Sequence, residues 1–251
     1  MNAAERKALA GNNILALAMN PYPGRGFVVG LDETGEYLAQ VYWIMGRKPN
    51  SRNRVFKSDE TGRLYTEPAD SSKVEDPSLI IYNAMREIRA TSKRYIVSNG
   101  DQTDTVVDEM GFFGCPSLDL ALRERQYEPD PPNFTPRITA MSELFRDGSN
   151  RLEISVLRKS LFGDGCDRYA YVLGAVPGFG YCVTTYTGDG DPLPSFSGDP
   201  MLMPLVGGIG VIAADYWEAL DKDNRVSLAV KMIEISGGRS EIRIINKYAQ
   251  V

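Results

Sequence analysis

Apolar runs broken by short polar or glycine-containing segments recur along this chain, and their lengths predict the elements. Gly26–Leu31 and Tyr37–Met45 are apolar runs of strand length, joined by a hairpin-like turn at 32–35. Shorter runs at 63–66 and 94–98 also predict strands, the latter ended by the turn dipeptide Asn99-Gly100. Residues 78–87 are ambiguous, with strand favoured for the first half and Tyr82 and Asn83 near its end. A helix is predicted over 101–110, capped by Asp101 or Thr103, and a second over 117–126. Strands follow at 138–145, 152–157, 169–176 and 181–186. Helices are expected at 207–220 and 226–235, and a last strand at 241–246. Residues 1–20 predict an N-terminal helical extension broken near Gly11. Its apolar run, 14–19, is too short for a membrane span. Strands, two helices, strands again, two helices and one strand predict an α+β fold. The arrangement expected is a four-layer α/β/β/α sandwich of two antiparallel sheets, as a single domain over 1–251. A sheet with a separate helical subdomain is the alternative.

Composition narrows the function. The chain has 251 residues, 43% apolar and 24% charged, with a formal net charge of -5, which suits an ordinary globular protein. An acidic body argues against nucleic acid as a partner. There is no histidine, which removes the commonest general base, the commonest metal ligand and every Ser-His or Cys-His pair. Cys115, Cys166 and Cys182 are widely spaced and include no CxxC, so neither a disulfide framework nor a zinc site is expected. No signal-peptide layout or membrane span is visible. A cytoplasmic protein is the expectation, with a homo-oligomer left open.

Against that acidic background, residues 46–57 read GRKPNSRNRVFK and carry Arg47, Lys48, Arg52, Arg54 and Lys57. Pro49, Asn50, Ser51 and Asn53 are loop-formers, so the cations are expected on a loop. Guanidinium forks match phosphate or carboxylate oxygens. The segment therefore reads either as an anion pocket for a phosphorylated metabolite or as a solvated basic loop. Of two further loops, 128–136 with its four prolines reads as an ordered loop or a lid, and the Gly/Asp/Pro/Ser-rich 187–200 as a site rim.

NSRNRVF at 50–56, YIVSNGDQTDT at 95–105 and YEPDPPNFTPRI at 127–138 occur with GRGFVVG at 24–30 and SLIIYN at 78–83. As an ordered set these motifs resemble the archaeal-type inosine monophosphate (IMP) cyclohydrolase family, from about residue 22 to residue 186. The resemblance implies an N-terminal-nucleophile-hydrolase-like sandwich without a self-processed nucleophile. It also implies closure of a formamidoimidazole-carboxamide ribotide to IMP with loss of water, the last step of de novo purine synthesis. Neither metal nor organic cofactor would be needed, and the partner would be the small ribotide. Arg54, Tyr82 and Glu128 are the catalytic candidates it implies. Arg54 would face the base or the developing oxyanion, Tyr82 would relay a proton, and Glu128 would orient the carboxamide. Arg25, Arg47 and Arg52 are candidates for the phosphate, and Asn53, Asn83, Asn99, Arg137, Thr185 and Tyr186 for other substrate contacts. Plainer roles compete: surface cations, a sheet-packed Tyr82, a Glu128–Arg137 salt bridge, a turn at Asn99. A non-catalytic purine-nucleotide binder on the same fold is the second function class. An amide hydrolase ranks last, because it needs an exposed nucleophile that the sequence does not locate; Cys115 has no visible base partner.

Overall fold

The computed structural model describes residues 1–74 and 81–248. Two antiparallel sheets lie face to face, each with helices on its outer side. The first sheet has six strands: β1 (Gly26–Leu31), β2 (Tyr37–Met45), β10 (Phe179–Thr184), β11 (Met201–Pro204), β12 (Arg225–Glu234) and β13 (Ser240–Asn246), in the order β11-β10-β1-β2-β12-β13. The second has seven: β3 (Val55–Ser58), β4 (Leu64–Glu67), β5 (Asn83–Arg89), β6 (Lys93–Ser98), β7 (Arg137–Leu144), β8 (Asn150–Lys159) and β9 (Cys166–Leu173), paired in sequence order. Helices α1 (Ala3–Met19) and α5 (Ile209–Ala219) cover the first sheet, while α3 (Gln102–Gly111) and the single turn α4 (Leu118–Ala121) cover the second. The short α2 (Pro49–Arg52) follows β2. The four-layer α/β/β/α sandwich expected from the sequence is what forms.

Three buried layers follow from strand alternation. Phe27, Val29, Tyr42 and Ile44 of the first sheet meet Met85, Val97, Ala140 and Ile154 of the second. Val28, Val41, Trp43 and Met45 point the other way, onto Leu17 of α1 and Ile212 and Tyr216 of α5. Ile96 and Met141 pack under Val106, Met110 and Leu118.

Several sequence-based expectations give way. Residues 226–235, expected to be helical, form most of β12, paired on both sides by β2 and β13. Leu228, Val230 and Met232 face the helices while Ala229 and Ile233 face the other sheet. A strand buried on both faces has no polar alternation to mark it. Helix α1 runs through Gly11 without a break. Glycine costs a helix only about 1 kcal/mol, and here Asn2 and Glu5 form a capping box and Asn13 donates to the Leu202 carbonyl. Over 117–126 only the α4 turn is helical, and 46–57 contains α2 and β3 as well as loop. The strand near Tyr82 begins at Asn83, beyond the favoured first half of 78–87, of which residues 78–80 lie outside the described residues. Strand β11 had no counterpart in the sequence reading.

Candidate functional site

Antiparallel pairing puts the start of β1, the end of β2 and the end of β10 at one end of the first sheet, and the start of β7 in the second sheet lies at the same end. The connections leaving those ends enclose a cavity of about 320 Å³. Its wall is built by Gly24 and Arg25 before β1, Met45 at the end of β2 with Arg47, Lys48, Asn50, Ser51 and Arg54 beyond it, Glu128, Asp130 to Asn133 and Thr135 before β7, and Tyr186 and Leu193 after β10.

Arg25 lies at the inner wall. Its Nη2 donates to Glu128 Oε2 at 2.7 Å and its Nη1 to the Asn99 carbonyl at 2.5 Å. Burial alone would lower the guanidinium, but Glu128 and the Tyr82 phenol hold it well above its usual value. Thr185 fixes the backbone here, its Oγ1 accepting from the Arg25 amide at 3.1 Å. The approach needs Gly24, whose φ is +72° and whose Cβ would fall 2.2 Å from Thr185 Oγ1.

Arg54 is buried and lines the cavity. Its Nε donates to the Ser51 carbonyl and its Nη2 to the Met45 carbonyl, at 2.9 and 3.1 Å. Beneath lies a buried pair of phenols, Tyr42 and Tyr82, with hydroxyl oxygens 2.7 Å apart. Burial and the Tyr82 neighbour push the Tyr42 hydroxyl far up, with Arg25 and Arg54 pulling the other way. Tyr82 itself does not line the cavity.

Arg47 and Lys48 supply the outer cations. Arg47 pairs with Asp189, donates to the Gly190 carbonyl at 3.2 Å and lies over the Tyr22 ring, 4.8 Å from its centroid. Tyr22 stacks on Tyr186. The Tyr186 hydroxyl meets Thr135 Oγ1, which also donates to Asp130, and burial raises that phenol strongly. The two loops are joined where the Leu193 amide donates to Asn133 Oδ1 at 3.0 Å.

Arg25, Arg47, Arg54, Glu128 and Tyr186 thus line one cavity. Thr185 and Asn99 hold Arg25 from behind. Asn99 spends its side chain on the protein, donating to the Pro136 carbonyl and accepting from Ile138 and Gln102. Arg137 binds Asp101 and Gln102, so the Glu128–Arg137 salt bridge is replaced by Arg25–Glu128 and Arg137–Asp101. Burial lowers the Arg137 guanidinium, with Glu128 and Asp101 opposing. Arg52 turns to the Gly46 carbonyl and Asn224, Asn53 clips Asp70, and Asn83 donates to Asp104 of α3. None of these three lines the cavity. Tyr22, Asn50, Asp130 and Thr135 line it without having been singled out in the sequence; Asp130 and Thr135 sit inside the 127–138 motif and could have been. Cys115 is buried in the outer core, away from the cavity. Among the described residues there is no His, Cys, Asp or Glu cluster able to hold a metal, and no helix long and apolar enough to cross a membrane.

The family model described as IMP cyclohydrolase-like protein matches residues 22–238. This range takes in every segment of the cavity wall and leaves out α1. Among curated proteins, IMP cyclohydrolase of Methanocaldococcus jannaschii is 31% identical over 120 residues, 48% of this chain and 56% of the relative. The chain thus spans about half the length of that curated relative. No solved structure matches significantly.

Proposed function

The chain belongs to the IMP cyclohydrolase-like protein family, and from that membership we propose that it closes 5-formamidoimidazole-4-carboxamide ribotide to IMP with loss of water. The observation that carries the proposal is the gathering of Arg25, Arg47, Lys48, Arg54 and Glu128 around one cavity in a chain of net charge -5. Its volume, about 320 Å³, falls at the lower end of small-molecule sites, roughly 300–1,000 Å³.

The reaction joins a carboxamide nitrogen to a formyl carbon in the same molecule. An amide nitrogen is a weak nucleophile, so holding the two groups in attack geometry is the first contribution. Arg47, held over the Tyr22 ring, and Lys48 anchor the phosphate at the outer wall. The formyl oxygen gains charge as the bond forms, and Arg54, already aimed by two carbonyls, stabilises it. Glu128 accepts from the carboxamide NH2, and its pairing with Arg25 keeps it oriented. The hydroxyl oxygen must then leave as water, and the Tyr42–Tyr82 pair behind Arg25 is the proton path we assign. None of these steps calls for a redox cofactor or an imidazole.

Tyr82 lies behind the wall, which favours one competing reading, a nucleotide binder that holds the ribotide without closing it. Ultraviolet assay of the purified protein on the formylated ribotide separates the two. Ring closure above background, lost in Arg54→Ala, supports the enzyme. Calorimetric binding of ribotide with no closure supports the binder. Turnover unchanged in both Arg54→Ala and Tyr82→Phe removes the site assignment.

A further inference from the structure

Most polar side chains on the cavity wall are already bonded within the protein. Arg25 holds Glu128, Asp130 accepts from Thr135, Arg54 donates to two carbonyls, and Asn133 Oδ1 accepts from the Leu193 amide. Asn50 differs. It lines the cavity and is only partly buried, yet its Oδ1 is buried and accepts no hydrogen bond from the described residues. Its backbone is fixed by the α2 turn, with Arg52 and Asn53 amides donating to the Lys48 and Asn50 carbonyls. The side-chain amide is therefore the part left to turn, about a torsion with a broad energy profile. An oxygen without a donor gains by turning to a ligand N–H.

The chemistry of the wall makes that amide distinctive. The guanidinium groups only donate, and the carboxylates of Glu128 and Asp130 only accept. Asn50 and Asn133 are the primary amides on the wall, and the Asn133 oxygen is occupied. A primary amide presents one donor and one acceptor side by side. A second carboxamide presents the same pair in reverse.

We infer that Asn50 is a specificity-determining residue whose amide pairs with the carboxamide of the ribotide, and after closure with the C=O/N–H edge of the new lactam. The inference rests on the ring-closure reading of this cavity. The pairing uses the carboxamide N–H that lies beside its own carbonyl, the hydrogen kept in the product. The other N–H stays directed at the formyl carbon, where it must be lost. Asn50 thus selects the carboxamide rotamer that can react and excludes ribotides bearing a carboxylate there, whose oxygens would meet its oxygen or leave it unpaired.

The test is calorimetry with IMP and with purine riboside 5′-monophosphate, which lacks the 6-oxygen and the N1 hydrogen. Wild type should bind IMP about tenfold tighter or more, as loss of two hydrogen bonds predicts. In Asn50→Ala the two affinities should converge, and Asn50→Gln should restore part of the preference. Thermal unfolding of Asn50→Ala should match wild type, because an oxygen without a partner contributes nothing to the fold. A preference retained in Asn50→Ala overturns the inference. Wild-type ring closure without an IMP preference overturns it alone. An Asn50-dependent preference without ring closure overturns the catalytic reading alone, and wild type binding neither ligand overturns both.

Discussion

Arg25 and Glu128 meet at the inner wall of the cavity, Nη2 to Oε2 at 2.7 Å, with side chains 11% and 4% exposed. Arg25 comes from the strand entry of one sheet and Glu128 from the loop that enters β7 of the other, so the pair closes the open end of the sandwich. Removing one partner strands a buried charge. Glu128→Ala should lower stability by about 3–5 kcal/mol in urea unfolding. Glu128→Gln should lose less, since it still accepts from Arg25. On the proposed reading ring closure should fall in both, because neither variant places a carboxylate beside the carboxamide. A Glu128→Ala protein as stable as wild type would show that the pair does not hold the sheets.

The phenols behind that pair make a sharper test of coupling. Tyr42 and Tyr82 bond hydroxyl to hydroxyl at 2.7 Å between the sheets. Tyr42→Phe or Tyr82→Phe alone leaves a buried hydroxyl without this partner and should cost about 1–3 kcal/mol. The double variant should cost much less than the two singles added, giving a coupling energy that a urea double-mutant cycle reads directly. Ring closure that survives the stable double variant at wild-type rate would remove the proton path from the mechanism.

How far the sequence revealed this site follows from how each residue is placed. Arg47 and Arg54 were visible because their cations crowd one short segment after a plain strand. Arg52 and Asn53 belong to the same motif, but the α2 turn sends them to Asn224 and Asp70 instead. Asn83 follows Tyr82 in the same motif, yet neighbours on an extended chain point to opposite sides. Tyr82 faces the other sheet and Asn83 faces Asp104 of α3. Tyr42 and Asp189 gain their roles from partners 40 and 142 residues away, which no local pattern encodes. The layers were legible from strand lengths, whereas β12 was not, because burial on both faces erases the alternation that separates strand from helix.

Arg47 and Asp189 give opposite kinetic predictions from one contact. Their side chains are 34% and 48% exposed, so the pair contributes little stability, roughly 0–1 kcal/mol. On the proposed reading, in which Arg47 anchors the substrate phosphate, Asp189 competes with that phosphate for the guanidinium. Arg47→Ala should raise KM about tenfold or more with kcat nearly unchanged, the signature of uniform binding. It should also weaken the salt dependence of KM. Asp189→Ala should lower KM severalfold, and both should unfold at the wild-type temperature. A rise in KM in Asp189→Ala would mean that the loop 187–200 positions Arg47 instead of competing for it.

At mid-sandwich Lys231, fully buried on β12, donates to Glu87 Oε1 at 2.5 Å and to the Gly62 carbonyl at 2.9 Å. Burial pushes the Glu87 carboxyl up, but Lys231, Arg89 and Ser240 outweigh it and hold the group below its usual range. A carboxylate lowered on folding binds fewer protons folded than unfolded, so stability rises with pH between its folded and unfolded values. The contribution is complete above the unfolded value, about 4.3, and is lost as pH falls through the lowered folded one. Urea unfolding from pH 6 to pH 2 should therefore show a falling acid limb. Glu87→Gln should flatten this limb and, by leaving the Lys231 charge buried, cost about 3–5 kcal/mol at neutral pH. Replacing both, as Glu87→Met with Lys231→Met, should recover most of that loss, because two apolar side chains of similar length need no counter-charge. An acid limb equally steep in Glu87→Gln would assign it to other lowered carboxyls, among them Asp59, Asp70, Glu143 and Asp101.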